Sequence, residues 1–305
     1  MSALLCLNDL SCNSHASKEQ IDSAMRELVH LLRDVRSIRA QAALITPFKL
    51  PYIRLSSTYE MAQWIADSRN REYWQIIRRM QDRAPYSYEE VAPSEVLSGV
   101  EYTFSGTIAA GFGIAHLIDA LAVSLRVDNS WETAKIALVR TSLSEADTDV
   151  ISEDLVDIRH ASNKSHIETH REWLANSGLD LLTRGQEIWD AREDLFPNLS
   201  FLPRVEGDLR NLTPIWVKGA RDLLSEIELA VSVWDPAKQP FPEWKKVTPE
   251  GQNRKGLCTF EDLDGERRAF DLHGRFAPEP GRIHLRLIRE DRSARIGYIG
   301  RKLGT

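Results

Sequence analysis

The chain has 305 residues, of which 42% are hydrophobic and 28% are charged. This mixture is typical of a folded globular protein and excludes wholesale disorder. The formal net charge of −6 is spread unevenly: residues 251–305 carry 12 Lys/Arg and 8 Asp/Glu, whereas residues 1–250 carry 27 and 37. We therefore expect the C-terminal part to contact a different and more acidic partner, such as nucleic acid.

The first long helix is predicted over residues 18–42. Ser17 and Gln20 form a capping box, and apolar side chains then recur at helical spacing from Ile21 to Val35. Further helices are predicted from Ser57 and over Glu72 to Met80. A buried helix is predicted from Ile114 to Leu125.

A strand is predicted within Trp131 to Leu143, where Ile, Val and Thr suit a pleated surface. Helices are expected to return from Glu153 onward, including one over Leu182 to Leu195. Thr213 and Pro214 then begin another helix, which runs to Trp234.

Four prolines interrupt the chain after this helix, within DPAKQPFPEWKKVTPEGQNRKG. Because proline cannot continue a helix or enter a sheet interior, this segment is predicted to be a linker. The predicted fold class is α+β, with a mainly helical body at 1–235 that contains a few strands. A proline-rich linker at 236–252 and a small basic antiparallel β domain at 253–305 complete the predicted organisation.

No membrane segment is predicted. The N-terminus MSALLCLNDLS lacks a basic region and a long apolar run, so it does not match a signal peptide. The uncharged stretch from Tyr102 to Ile118 is too short and too polar for a membrane span and indicates buried core.

The three cysteines, Cys6, Cys12 and Cys258, are too few and odd in number for a disulfide framework. They fit a reducing compartment, so a cytoplasmic protein is expected. Cys6, Cys12 and His15 form a C-x5-C-x2-H run without an evident fourth ligand, and whether they bind a metal is open at this stage.

Common catalytic motifs are absent from the sequence. It contains no GxxxxGK, GxGxxG, GxSxG, HExxH or CxxC motif. These absences argue against a nucleotide hydrolase, a serine esterase and a zinc protease, and they lead us to predict no cofactor and no metal.

Basic and aromatic side chains alternate with apolar ones near the C-terminus. In RIHLRLI, Ile283, Leu285 and Leu287 share one face of a predicted strand. The residues expected to bind nucleic acid are Arg282, Arg286, Tyr298, Arg301 and Lys302. Arginine binds phosphate through two donors, and the nearby His284 can transfer a proton near neutral pH.

The ending RIHLRLI…RIGYIGRKL resembles the terminal strands of RelE/ParE-type toxins, in which Arg, Lys, His and Tyr line a sheet face. It is also similar to the endings of uncharacterised bacterial defence-island proteins. The resemblance covers about 50 residues and implies an RNA-contacting domain in which His284 is a candidate catalytic residue.

A second candidate site lies in the body. The segment RHASNKSH resembles the Arg-x4-6-His motif of HEPN ribonucleases, which often dimerise to pair two such motifs. This resemblance implies that Arg159 stabilises phosphate charge and that His166 acts as acid or base. His166 and His170 also have the spacing of a metal pair, but no third ligand is evident, so an exposed helix face is favoured.

These observations predict a bacterial antiviral-defence or toxin-type protein whose basic β domain contacts nucleic acid, RNA in preference to DNA. It is expected to act with partner proteins of a defence operon, and self-association is a further expectation. One alternative is a HEPN-like metal-independent ribonuclease that uses Arg159 and His166. Another is a non-catalytic scaffold subunit of a multi-protein complex.

Overall fold

A computed structural model describes residues 3–12, 14–46, 49–84, 88–91, 99–144, 150–175 and 182–304. The chain forms two compact units, Met1–Leu181 and Leu182–Thr305. Both units combine helices with β-sheet, which confirms the predicted α+β class. Within the described residues, no helix has the length and apolarity that a membrane crossing requires.

A mixed sheet of seven described strands forms the centre of the N-terminal unit, in the order β2-β1-β7-β9-β8-β5-β6. Its first four strands run parallel, and its remaining pairs are antiparallel. A two-stranded sheet of β3 and β4 lies beside it. The strands are β1 (Ala3–Leu7), β2 (Ala42–Ile45), β3 (Arg54–Ser56), β4 (Tyr59–Glu60), β5 (Val100–Phe104), β6 (Thr107–Ile108), β7 (Leu121–Val123), β8 (Lys135–Ser144) and β9 (Val150–Ala161).

The helices of this unit are α1 (Lys18–Ile38), α2 (Met61–Ala66), α3 (Arg71–Gln81), α4 (Tyr88–Val91), α5 (Ala110–Leu117), α6 (Lys164–Thr169) and α7 (Arg171–Ala175). The capping box of Ser17 and Gln20 at the start of α1 is confirmed. The apolar face of α1, from Ile21 to Val35, is buried against the parallel strands. Amphipathic spacing therefore predicted this helix correctly.

Two segments predicted as helix contain strands. The helix that starts at Ala110 ends at Leu117, because Asp119 takes a left-handed backbone conformation (φ 58°) and the chain then enters β7. The segment from Glu153 pairs along its length with β8, so it belongs to β9 and not to a helix. The strand predicted within Trp131 to Leu143 is confirmed as β8.

The C-terminal unit contains a sheet of five described strands in the order β10-β16-β15-β14-β11, and β12 pairs with β13 as a separate hairpin. The strands are β10 (Leu199–Phe201), β11 (Val247–Pro249), β12 (Thr259–Glu261), β13 (Arg267–Ala269), β14 (Leu272–Phe276), β15 (Gly281–Ile288) and β16 (Ser293–Arg301). The helices are α8 (Gly185–Leu195), α9 (Arg204–Arg210) and α10 (Pro214–Ser232).

The units divide at residue 181, whereas the sequence suggested a boundary in the proline-rich segment. The difference arises because α10 packs on the C-terminal sheet: Leu223 lies against Gly274, and the Trp216 indole donates to the Pro278 carbonyl at 2.7 Å. Part of the proline-rich segment is also the edge strand β11, a position that tolerates Pro249. The C-terminal unit consequently carries 21 Lys/Arg and 20 Asp/Glu, so the basic excess of residues 251–305 is largely balanced within its own unit.

Candidate nucleic-acid interface

One face of the five-stranded sheet collects basic and aromatic side chains from three neighbouring strands. His273, His284 and Tyr298 are cross-strand neighbours on β14, β15 and β16. Arg286 pairs across the sheet with Arg295. Side chains alternate along β15, so Arg282, His284 and Arg286 share this face, and Ile283 and its apolar partners point to the other face, toward α10. Residues predicted from RIHLRLI and from Tyr298 thus come together on one surface of the sheet.

This face is covered rather than presented to solvent. Arg282 and His284 are only 4% and 2% exposed. The β12–β13 hairpin lies over the face, and Phe270 at its base is fully buried. A Cβ at Gly297 would lie 2.5 Å from the Phe270 ring and 2.9 Å from the Phe260 ring, so glycine there permits the close approach of the hairpin. A solvent-facing row of Arg282, His284 and Arg286 is therefore not what the structure presents.

Asp262 of the hairpin pairs with arginines of the covered face. Its carboxylate contacts Arg286, and it accepts from Arg295 Nη1 at 2.5 Å. Arg268 of the hairpin itself lies 3.5 Å away. Burial acts to raise the pKa of Asp262, but hydrogen bonds from Arg295 and the Leu263 amide, with the charges of Arg286 and Arg295, lower it overall. Asp262 is therefore a buried anion held by several cations.

His284 is neutral in this environment. Its Nδ1 donates to the Phe270 carbonyl at 3.3 Å, and its ring lies 5.9 Å from the Tyr298 ring. Burial, helped by the nearby His273, lowers the pKa of His284 to about 4. A buried histidine of this kind is poorly placed to exchange a proton with a bound strand, so the structure does not support the expected catalytic role.

An open cleft of about 730 Å³ adjoins this face, between α9 and the end of β16. Strand β10 pairs with β16 only as far as Ile296. Beyond that point α9 takes the place of a neighbouring strand, and the Asp208 carboxylate accepts from the Ile299 amide at 3.2 Å. The side chains that carry charge or an aromatic ring into the cleft are Arg204, Asp208, Trp216, Tyr298 and Arg301.

Arg204 lies across two aromatic rings at this cleft. Its guanidinium carbon is 4.4 Å from the centre of the Phe260 ring and 5.3 Å from that of Tyr298. Asp208 pairs with it one helical turn later, at 3.5 Å. Burial raises the pKa of Asp208 and outweighs the opposing charge of Arg204. With its side chain 42% exposed, Arg204 combines a fixed plane with access to solvent.

Of the residues predicted at the end of the sequence, Tyr298 and Arg301 line this cleft and Lys302 does not. Tyr298 is half-buried, and its hydroxyl donates to the Arg301 carbonyl at 2.6 Å. Arg301 is exposed and lines the cleft. Lys302 follows β16, and its main-chain amide donates to the Pro280 carbonyl at 2.8 Å. Arg204 was missed, because only its i,i+4 spacing to Asp208 in RVEGDLR was visible in the sequence.

Arg159 and His166 of the N-terminal unit make separate sets of contacts. Arg159 pairs with Asp119, and its guanidinium lies 4.2 Å from the centre of the Trp173 ring. The His166 ring lies beside that of His160 at 6.1 Å, and Nδ1 accepts from the Ser162 amide at 3.3 Å. Consecutive residues of a strand point to opposite faces of the sheet, so the Arg159 side chain points away from the face that holds His160 and the nearby His166. No described contact joins Arg159 to His166.

The carboxyl ends of the parallel strands are linked by a buried network of side-chain hydrogen bonds. The sequence did not reveal this network. His160 Nδ1 donates to the Thr133 carbonyl at 2.6 Å, and Nε2 accepts from the Ser124 hydroxyl at 2.7 Å. The Asn8 amide donates to Ser124 at 3.0 Å. Asn8, Ser124 and His160 are at most 1% exposed. These hydrogen bonds therefore link the ends of β1, β7 and β9 inside the unit, and the three side chains are not accessible to a ligand.

Among the described residues, no group of three or more His, Cys, Asp or Glu side chains has an arrangement that could hold a metal ion. His170 donates through Nε2 to the Ala134 carbonyl at 2.8 Å, so this nitrogen is already used. Cys6 and Cys12 are buried free thiols, and burial raises the pKa of both, to about 12 for Cys12. Neither cysteine has the thiolate character of a metal ligand in this environment.

Comparison of the chain with protein-family models, with curated proteins and with solved structures finds no match.

Proposed function

We propose that this protein binds nucleic acid, RNA in preference to DNA, in the cleft between α9 and β16, and that it serves a bacterial antiviral-defence or toxin-type system. The observation that carries the proposal is the position of Arg204, which lies across Phe260 and Tyr298 with Arg301 lining the same cleft. A cation and aromatic rings in one groove are the components that hold single strands.

Each component has a chemical task. Arg204 and Arg301 can bind phosphate oxygens through paired donors, and the Arg204 plane is already held by its aromatic support. The Tyr298 ring offers an aromatic surface to a base. Asn211 and Thr213 also line the cleft. The oxygens of such side chains can accept from a ribose 2′-hydroxyl, the group that distinguishes RNA from DNA. The cleft volume of about 730 Å³ lies within the usual range for sites that bind small molecules.

Binding, rather than cleavage, is the activity that this geometry supports. A metal-independent ribonuclease needs an accessible base beside the phosphate-binding cations. His284 is buried, and Arg159 and His166 have separate contacts. The HEPN-like alternative therefore has less support from the structure than the cleft has. Action with partner proteins, as a scaffold or otherwise, stays a prediction.

The test is fluorescence anisotropy with a labelled single-stranded RNA, its DNA counterpart and an RNA duplex. Arg204→Gln and Arg301→Gln are expected to weaken single-stranded RNA binding about tenfold or more, and the DNA strand is expected to bind less tightly than the RNA. Arg210→Gln is the matched control, because Arg210 is also on α9 but pairs with Glu206 and does not line the cleft. Equal losses in all three variants would reduce the effect to overall charge and contradict the proposal.

A further inference from the structure

Three arginines lie near the single carboxylate of Asp262 at the covered face. Arg268 also contacts Asp264 and lies 2.9 Å from Glu266, so it has anions of its own on the hairpin. Asp262 is thus the ion-pair partner chiefly of Arg286 and Arg295, whose side chains are 23% and 17% exposed. The Asp262 side chain is fully buried between them. Two cations that share one carboxylate leave an excess of positive charge at this point of the sheet.

Arg286 has further donor capacity. Its Nε is buried and has no hydrogen-bond partner among the described residues. Arg295 uses its Nε toward the Ser200 hydroxyl at 3.1 Å, which fixes the guanidinium beside Arg286. A backbone phosphodiester offers two non-bridging oxygens and one negative charge, as the Asp262 carboxylate does, and arginine binds both kinds of group through paired donors. The two guanidinium groups can therefore hold a backbone phosphate in the position that the carboxylate occupies, with the Arg286 Nε as a donor to spare.

The β12–β13 hairpin, which contains Asp262, is held to the five-stranded sheet more firmly at its base than at its tip. Strands β12 and β13 pair only with each other, over three residue pairs, and form no described ladder with the five-stranded sheet. The base is anchored by the fully buried Phe270, whereas residues 263–267 at the tip are exposed. Asp262 lies near the tip, so its ion pairs are a main attachment there. Such a tip can move while the anchored base stays in place.

We propose that Arg286 and Arg295 form a second phosphate site, which Asp262 occupies in the unbound protein and vacates when a nucleic-acid strand binds. This inference rests on the proposed function, because the strand in question is the one held in the cleft. His284 pairs with Tyr298 of the cleft, and Arg286 follows two residues later on the same face, about 7 Å along β15. Phe260 and Phe270 cover the face between them at Gly297, so a strand bound in the cleft would reach the arginine pair around the hairpin rather than beneath it.

The hairpin is consequently an autoinhibitory contact. Asp262 neutralises part of the basic face, so the unbound protein presents less positive charge than its sequence suggests. A ligand must replace the carboxylate with phosphate, which favours polyanions over isolated anions. The arrangement also accounts for the burial of a face whose residue types suit RNA contact.

The test compares Asp262→Asn with Asp264→Asn by anisotropy with single-stranded RNA. Both changes remove one negative charge from the hairpin, but Asp264 is exposed and pairs with Arg268 rather than with the sheet. Asp262→Asn is expected to tighten binding about tenfold and to steepen the salt dependence by about 0.7 for one added phosphate contact. Asp264→Asn is expected to stay within about twofold of the unchanged protein. Equal affinities for the two folded variants would overturn the inference.

Two further measurements separate this inference from the proposed function. If the unchanged protein binds no RNA, so that the proposed function fails, calorimetry with inorganic tripolyphosphate still reports the arginine pair: tighter binding by Asp262→Asn than by the unchanged protein supports the inference, and unchanged binding overturns it. If Asp262→Asn does not fold, hydrogen exchange in the unchanged protein decides. Tripolyphosphate is then expected to speed exchange at residues 261–267, and slower or equal exchange would overturn the inference.

Discussion

Acidification should destabilise the N-terminal unit through His160. Burial, the largest cause, lowers the pKa of this histidine from 6.5 to about 4. The unfolded chain therefore takes up a proton on His160 at a higher pH than the folded chain does, and stability falls as pH drops below about 6.5. The contribution of His160 is complete above that pH and is lost progressively toward pH 4.

The magnitude follows from this window. At pH 5 the solution is about 1.5 pH units below the pKa of the unfolded histidine. Because each unit corresponds to about 1.36 kcal/mol, His160 lowers the free energy of unfolding by about 2 kcal/mol between pH 7 and pH 5. His160→Gln keeps a neutral polar group at every pH. We expect this variant to be less stable at pH 7, because the Gln amide reproduces the bonds to Thr133 and Ser124 imperfectly.

The assay is urea denaturation followed by circular dichroism at pH 7 and at pH 5. Between these conditions, His160→Gln should lose about 2 kcal/mol less stability than the unchanged protein does. His15→Gln is the control for exchanging histidine for glutamine, because His15 is exposed. If His160→Gln and the unchanged protein lose the same stability between pH 7 and pH 5, the argument from burial is refuted.

Four further predictions concern packing and the alternative site at Arg159. Gly185→Ala should destabilise the C-terminal unit by about 2 kcal/mol, because the added Cβ would lie 1.9 Å from the Leu209 carbonyl oxygen. Gly207→Ala, whose Cβ meets nothing within 4 Å, should instead raise the melting temperature through about 0.5–1 kcal/mol of helix stabilisation. Phe270→Ala should cost about 3–5 kcal/mol in urea denaturation, since its ring is fully buried at the base of the hairpin. Arg159→Gln should lower stability by about 1 kcal/mol yet leave RNA affinity unchanged; an anisotropy titration that shows a large loss would restore the N-terminal site as a candidate.

The sequence correctly predicted those helices and strands whose positions depend on adjacent residues. The capping box at Ser17 and the Thr213–Pro214 start of α10 depend on a few adjacent residues, and both helices begin where expected. The alternation in RIHLRLI likewise predicted β15. Segment β9 was mistaken for helix because its acidic residues Glu153 and Asp154 are exposed on a long hairpin and mask the strand pattern.

Long-range packing determined what the sequence did not show. The proline-rich segment is part of the C-terminal unit because β11 extends the edge of the sheet. Tyr298 and Arg301 were predicted as contact residues, but their partner Arg204 comes from a helix far earlier in the chain. The covering of Arg282 and Arg286 depends on Asp262 and Phe270, whose positions follow from the folded hairpin and not from local spacing.

The central claim is tested most directly by ultraviolet cross-linking of single-stranded RNA to the full chain, followed by mass spectrometry of the linked peptides. We expect a cross-link at Tyr298, lost when Arg204 is changed to Gln and retained when Arg210 is changed to Gln. Cross-links confined to residues 1–181, or a Tyr298 cross-link that survives Arg204→Gln undiminished, would contradict it.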